Sequence, residues 1–148
     1  MNLVALSRAN IEGNHAIMTQ DPAVAICIAY PTGRLHAVRP GEKLLDVLHL
    51  RFSDCDEKGV WAFPKNKEGN VALPMDQRQG REIVDFVGKW KDKVSTIYCA
   101  CYGGVSRSRG VLAGLAALYG WPDQELYDHG QPNAWCKTLV IRAGMPSL

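Results

Sequence analysis

Residues 101–108 read CYGGVSRS, which sets a thiol, adjacent glycines, two serine hydroxyls and a guanidinium in one short run. Thiolate is the nucleophilic form of cysteine, and nearby cations or a helix N-terminus bring thiol titration from about 8.5 into roughly 3.5–7.5. Arginine presents a planar fork that matches two oxygens of a phosphate. Gly103 and Gly104 tolerate positive φ, so successive backbone N–H groups can turn inward. A helix start adds unpaired N–H groups and partial positive charge. Cys101, the amides of 102–107 and Arg107 therefore suit one bound dianion, and the thiol stands where it could attack it.

The flanking sequence predicts elements that would hold these groups. VSTIYCAC (94–101) is β-branched and apolar and reads as a central strand. Residues 107–119 read as a helix, apolar around much of its circumference at Val111, Leu112, Leu115, Ala116 and Leu118, and ended by Gly120 with Pro122 beyond. The loop thus lies where a strand gives way to a helix N-terminus, the usual ligand position in α/β sheets.

Upstream, AVAICIAY (23–30) reads as a buried strand. LLDVLHLRF (44–52) reads as a strand with Leu44, Leu48, Leu50 and Phe52 on one face and His49 and Arg51 on the other. Residues 57–75 have no clear period and read as a long loop, a length that favours a functional role. Asp76 followed by Gln79 is a capping box for a helix whose inner face is Ile83, Phe86, Val87 and Trp90. Short helices are expected around 123–128 and 133–143, the last capped by Asn133. Strands separated by helices predict an α/β fold: one domain over 1–148, with a central, mostly parallel sheet flanked by helices.

Cys101-Tyr-Gly-Gly-Val-Ser-Arg107-Ser108 resembles the C-x5-R-S signature of cysteine-dependent protein tyrosine phosphatases. Its C-x-x-G-x-S-R-S form is most similar to the small dual-specificity branch. The bare cysteine–arginine pair is weak; Gly104, Ser106, Ser108 and the strand–loop–helix context make it specific. The resemblance runs from about residue 44 to the C-terminus, and the earlier residues match only as a generic strand-bearing start. It implies a protein-tyrosine-phosphatase-like fold and phosphomonoester hydrolysis through a cysteinyl phosphate, with no cofactor and no metal. Cys101 would be the nucleophile, and Tyr102, Gly103, Gly104, Val105, Ser106 and Arg107 would bind the phosphate. Ser108 would donate a hydrogen bond to the departing thiolate. An aspartic acid just past a strand end would protonate the leaving oxygen, which favours Asp54 in FSDCD (52–56), with Asp56 as competitor; Asp76 is already explained as a cap. Ser106 is open between steadying the loop and capping the helix. The family carries histidine immediately before the nucleophile, and here Ala100 stands there. The amides, Arg107 and the helix end would then stabilise the thiolate alone.

The implied substrate is a phosphorylated protein or peptide. The alternatives are a module that binds phosphorylated partners without turnover, or the same chemistry on a phosphoinositide or an RNA 5′ end. A net charge of +2 is too small to argue for a nucleic-acid or membrane partner. No signal-peptide pattern or membrane-length apolar run is present, and the five cysteines are odd in number and irregularly spaced. A soluble protein of the reducing cytoplasm is expected. A metal site of Cys55, Cys99 and Cys101 is a weaker alternative, since Arg107 would repel the cation. Cys27, Cys99 and Cys136 are expected in the core. Arg109 is open between widening the positive field and facing solvent. Trp61, Phe63, Lys65 and Lys67 could form a lid over the pocket or a plain surface loop.

Overall fold

The computed structural model describes residues 1–13, 21–67, 69 and 71–146. Its strands are β1 (Asn2–Ser7), β2 (Ala23–Ala29), β3 (Leu44–Arg51) and β4 (Thr96–Cys101). Its helices are α1 (Arg8–Gly13), α2 (Gln77–Trp90), α3 (Arg107–Tyr119), α4 (Gln124–Asp128) and α5 (Ala134–Gly144). The strands form one sheet in the order β1-β4-β2-β3, and every pairing is parallel. This is the predicted α/β architecture.

Parallel strands covered on both faces are apolar along their whole length. β2, AVAICIA, is buried at every residue. Its alternation sorts the core: Val24, Ile26 and Ile28 face the helical layer, while Ala23, Ala25 and Cys27 face Ile11 of α1 and Val38. Cys99 and Cys101 share the first face and Ala100 lies on the second, as the two-residue period of a regular strand requires. Burial pushes the Cys27 thiol up to about 12 and raises those of Cys99 and Cys136 well above the ordinary range. All five cysteines are free.

Leu44 corrects one expectation. It packs on the second face with Val47, opposite Leu48 and Leu50. The cause is a register shift in which Ala23 pairs with Leu44 but Val24 pairs with Asp46, leaving Leu45 as an extra residue that inverts the alternation. β1 was not anticipated. It alternates weakly, with Leu3 and Ala5 on one face and Leu6 on the other, and is held by its pairing with β4.

Helix α2 begins at the expected capping box: the Asp76 carboxylate accepts from Gln79 N, and the Gln79 side chain accepts from Asp76 N. α3 is buried from Arg107 to Ala116 and ends at Gly120 with φ of 70°. It approaches α5 closely at Gly110, where an added Cβ would overlap the backbone of Asn133. Asn133 caps α5, its side-chain oxygen accepting from Cys136 N at 3.0 Å. Among the described residues no helix is long and apolar enough to cross a membrane.

Candidate active site

β4 ends at Cys101 and α3 begins at Arg107, so residues 102–106 form the expected connection at the carboxyl edge of the sheet. Gly104 makes this turn possible. Its φ is +70°, and a Cβ there would meet the backbone of Leu6 and Ser7 at 2.6–2.9 Å. Gly103, by contrast, is not in the positive-φ region. Two further contacts hold the loop: Arg8 N donates to Tyr102 O at 3.1 Å, and Gln131 N donates to Val105 O at 2.9 Å.

Cys101, Arg107 and Asp54 all line one cavity of about 170 Å³. Of the residues expected to bind phosphate, Tyr102, Gly103, Val105, Ser106 and Arg107 line it. Gly104 does not: it packs against β1, and its carbonyl accepts from Arg109 Nε at 2.8 Å. Arg109 is neither solvent-facing nor turned toward the cavity. It is buried and also donates to the carbonyls of Glu125 and Leu126, so it ties the loop to α4.

The Arg107 guanidinium is fixed on two sides. Nη1 donates to Phe52 O at 2.9 Å, and the Tyr30 ring lies 4.5 Å from Cζ. Arg107 is only 2% exposed, yet its Nε is buried without a partner among the described residues. A buried donor left unpaired costs about 1–3 kcal/mol, and more when charged, so this atom is primed for an oxyanion.

Cys101 is 2% exposed, and its Sγ lies 3.3 Å from Ser108 Oγ, the thiol donating. On ionisation the bond can reverse, with the hydroxyl donating to sulfur. Ser106 makes no side-chain cap for α3; its hydroxyl donates to Asp54 Oδ1 at 2.7 Å. Asn133 Nδ2 donates to the same oxygen at 2.9 Å. Asp56 lies outside the cavity, and its Oδ1 accepts from Lys58 N and Val60 N, both at 2.9 Å, in the manner of a turn carboxylate. It closes a tight hairpin in which Cys55 bridges Trp61 and Ala62 N donates to Asp54 O at 2.9 Å. The expected long loop is thus built in part on the Asp54 backbone. It sets Trp61 and Phe63 in the cavity wall and leaves Lys65 and Lys67 exposed outside it. Residues 68 and 70 of that loop lie outside the described residues.

Burial, with Asp56 and Asp54 nearby, pushes the Cys55 thiol up to about 11. Ala100 is completely buried on the opposite face of the sheet, among Ala25, Cys27 and Ile11. Among the described residues no three His, Cys, Asp or Glu side chains converge as a metal-binding group. Two site residues escaped the sequence. Tyr30 was read only as the end of a strand, although strand carboxyl ends are where such sheets bind ligands. Asn133 was read only as a cap.

No family model matches the chain, and no curated protein matches it by sequence. Among solved structures, it is similar to the human tyrosine phosphatase-like serine/threonine/tyrosine-interacting protein, at 14% identity and a TM-score of 0.57, over 95% of this chain and 89% of that one. It is also similar to PTPMT1 in complex with PI(5)P, at 17% identity and a TM-score of 0.52, over 97% of this chain and 90% of that one. The chain therefore has the tyrosine-phosphatase-like fold of these structures.

Proposed function

We propose that this chain is a phosphomonoester hydrolase that dephosphorylates a phosphorylated protein or peptide, as a tyrosine or dual-specificity phosphatase, through a cysteinyl-phosphate intermediate. The observation that carries the reading is Arg107. Its unpartnered, buried Nε belongs to a guanidinium lining the same cavity as the Cys101 thiol. A phosphate seated there satisfies the arginine and presents phosphorus to sulfur.

In the first step the Cys101 thiolate forms the S–P bond while the P–O ester bond breaks. Arg107 and the loop amides hold the equatorial oxygens. Asp54 gives its proton to the leaving oxygen. In the second step Asp54 takes a proton from water, the water oxygen bonds phosphorus, and sulfur departs with the Ser108 hydroxyl donating to it. The aromatic wall of Tyr30, Trp61 and Phe63 supports an aromatic ester such as phosphotyrosine, which can pack against it. The likeness to PTPMT1 in complex with PI(5)P favours a phosphoinositide headgroup as a second reading for the same chemistry.

The test is hydrolysis of 4-nitrophenyl phosphate with chelator present, followed by phosphotyrosyl peptide and phosphoinositide substrates. Wild type turns over the aryl phosphate and Cys101→Ser does not. Equal turnover by both proteins ends the proposal. Binding of phosphopeptide without any turnover by wild type would make the chain a binding module instead.

A further inference from the structure

We propose that Asn133 is the positioning residue for the proton donor: it pins Asp54 through Oδ1 and leaves Oδ2 as the oxygen that carries and delivers the proton. The inference rests on the reading of Asp54 as the general acid. Asp54 and Asn133 lie 79 residues apart in the chain, and no local pattern links them.

The orientation of the Asn133 amide follows from its other duties. Its Oδ1 is committed to Cys136 N as the cap of α5, at 3.0 Å. The amide group must then face the other way, and its Nδ2 donates both to Asp54 Oδ1 at 2.9 Å and to Cys55 O at 3.2 Å. The backbone is fixed as well. Asn133 N donates to Ser106 O at 3.0 Å, and Gly110 of α3 packs directly against it. One residue thus joins the Asp54 hairpin and α5 through its side chain, and the 101–108 loop through its backbone.

Ser106 supplies the second donor to the same oxygen, at 2.7 Å. Two donors at Oδ1 favour negative charge there, while among the described residues Oδ2 accepts no hydrogen bond. A proton on the carboxyl group therefore resides on Oδ2. During ester cleavage it moves from Oδ2 to the leaving oxygen as the P–O bond breaks and the S–P bond forms. During hydrolysis the water's proton returns to Oδ2 as the S–P bond breaks. The acid is already docked against the nucleophile loop, so no hinge motion is needed to bring it there.

The test separates capping from positioning. Serine is a good N-cap, so Asn133→Ser keeps an acceptor for Cys136 N but is too short to reach Asp54. Two substrates are compared: phenyl phosphate, whose leaving oxide is strongly basic and needs the acid, and 2,4-dinitrophenyl phosphate, which does not. Asn133→Ser is expected to lower kcat/KM for phenyl phosphate by about 10–100-fold and for the dinitrophenyl ester by less than about threefold. Ser106→Ala, which leaves the cap untouched, is expected to shift the ratio in the same direction. Asn133→Ser should not lower activity further in an Asp54→Ala background, because the two groups act as a unit. Equal loss on both esters, or full additivity with Asp54→Ala, overturns the proposal. Failure of the underlying reading looks different: Asp54→Ala itself then shows no leaving-group dependence, or Cys101→Ser keeps its turnover.

Discussion

The ring of Tyr30 lies 4.5 Å from the guanidinium carbon of Arg107, on an arginine whose Nη1 is already committed to the carbonyl of Phe52. Held on both sides, the guanidinium plane cannot rotate, and its fork stays aimed at the cavity. The stacking is worth about 0.5–2 kcal/mol. Tyr30→Leu is therefore expected to lower kcat/KM for an aryl phosphate by about 2–30-fold, while Tyr30→Phe keeps most of the activity. Equal loss in both variants would assign the effect to the phenolic oxygen instead of the ring face.

Gly104 sits where two demands meet, a φ of +70° and backbone of β1 within 3 Å of any added Cβ. Left-handed backbone costs a side chain about 1–2 kcal/mol, and forcing atoms into packed space about 1–3 more. Gly104→Ala should destabilise the fold by about 2–5 kcal/mol in urea and distort the loop at Cys101. Gly103→Ala, with only a single Val105 methyl near the new Cβ, should fold normally. Equal urea midpoints for the two variants would contradict this placement.

His36 gives the fold an acid-side weakness. Burial first, with Arg8 adding to it, pushes its imidazole down to about 4, and both ring nitrogens are buried without partners among the described residues. The folded protein therefore holds His36 neutral, while the unfolded chain protonates it below about 6.5. Stability contributed above that value falls as pH drops and levels off below about 4, a total of at most about 3 kcal/mol. Glu12, whose carboxyl is held below its ordinary value chiefly by the Ala37 amide, loses its contribution at still lower pH. Urea midpoints at pH 7 and pH 5 should differ measurably in wild type and much less in His36→Leu. An unchanged pH dependence in that variant would remove His36 from the account.

What could be read from the chain was what is local in it. The 101–108 loop forms the expected strand-to-helix connection, though Gly104 lies outside the cavity, and the four-residue Asp76–Gln79 capping box forms as expected. The contacts that lay beyond reach join distant segments. Leu44 changed faces because of a single extra residue in a pairing between two strands. β1 exists through β4, ninety-odd residues away. Arg109 stood open between the pocket field and solvent, yet two of its carbonyl partners lie on a helix whose position no motif specifies. Asp54 and Asp56 differ by two places; the resemblance favours Asp54, and the hairpin gives the two carboxylates different partners.

That difference yields the most direct test of the acid. Asp56 closes a turn through Lys58 N and Val60 N, whereas Asp54 lines the cavity and meets the 101–108 loop through Ser106. Removing a turn carboxylate acts on stability, and removing a proton donor acts on the barrier. General acid catalysis contributes about 10²–10⁴-fold, and only where the leaving group needs protonation. Asp54→Ala should therefore lower phenyl phosphate turnover by about that factor and leave the dinitrophenyl ester nearly untouched. Asp56→Ala should lower stability by about 0.5–2 kcal/mol and scale both esters together, since its carboxylate accepts from backbone of its own turn. A leaving-group dependence that appears in Asp56→Ala and not in Asp54→Ala would exchange their roles and would require the hairpin to re-form around the other carboxylate.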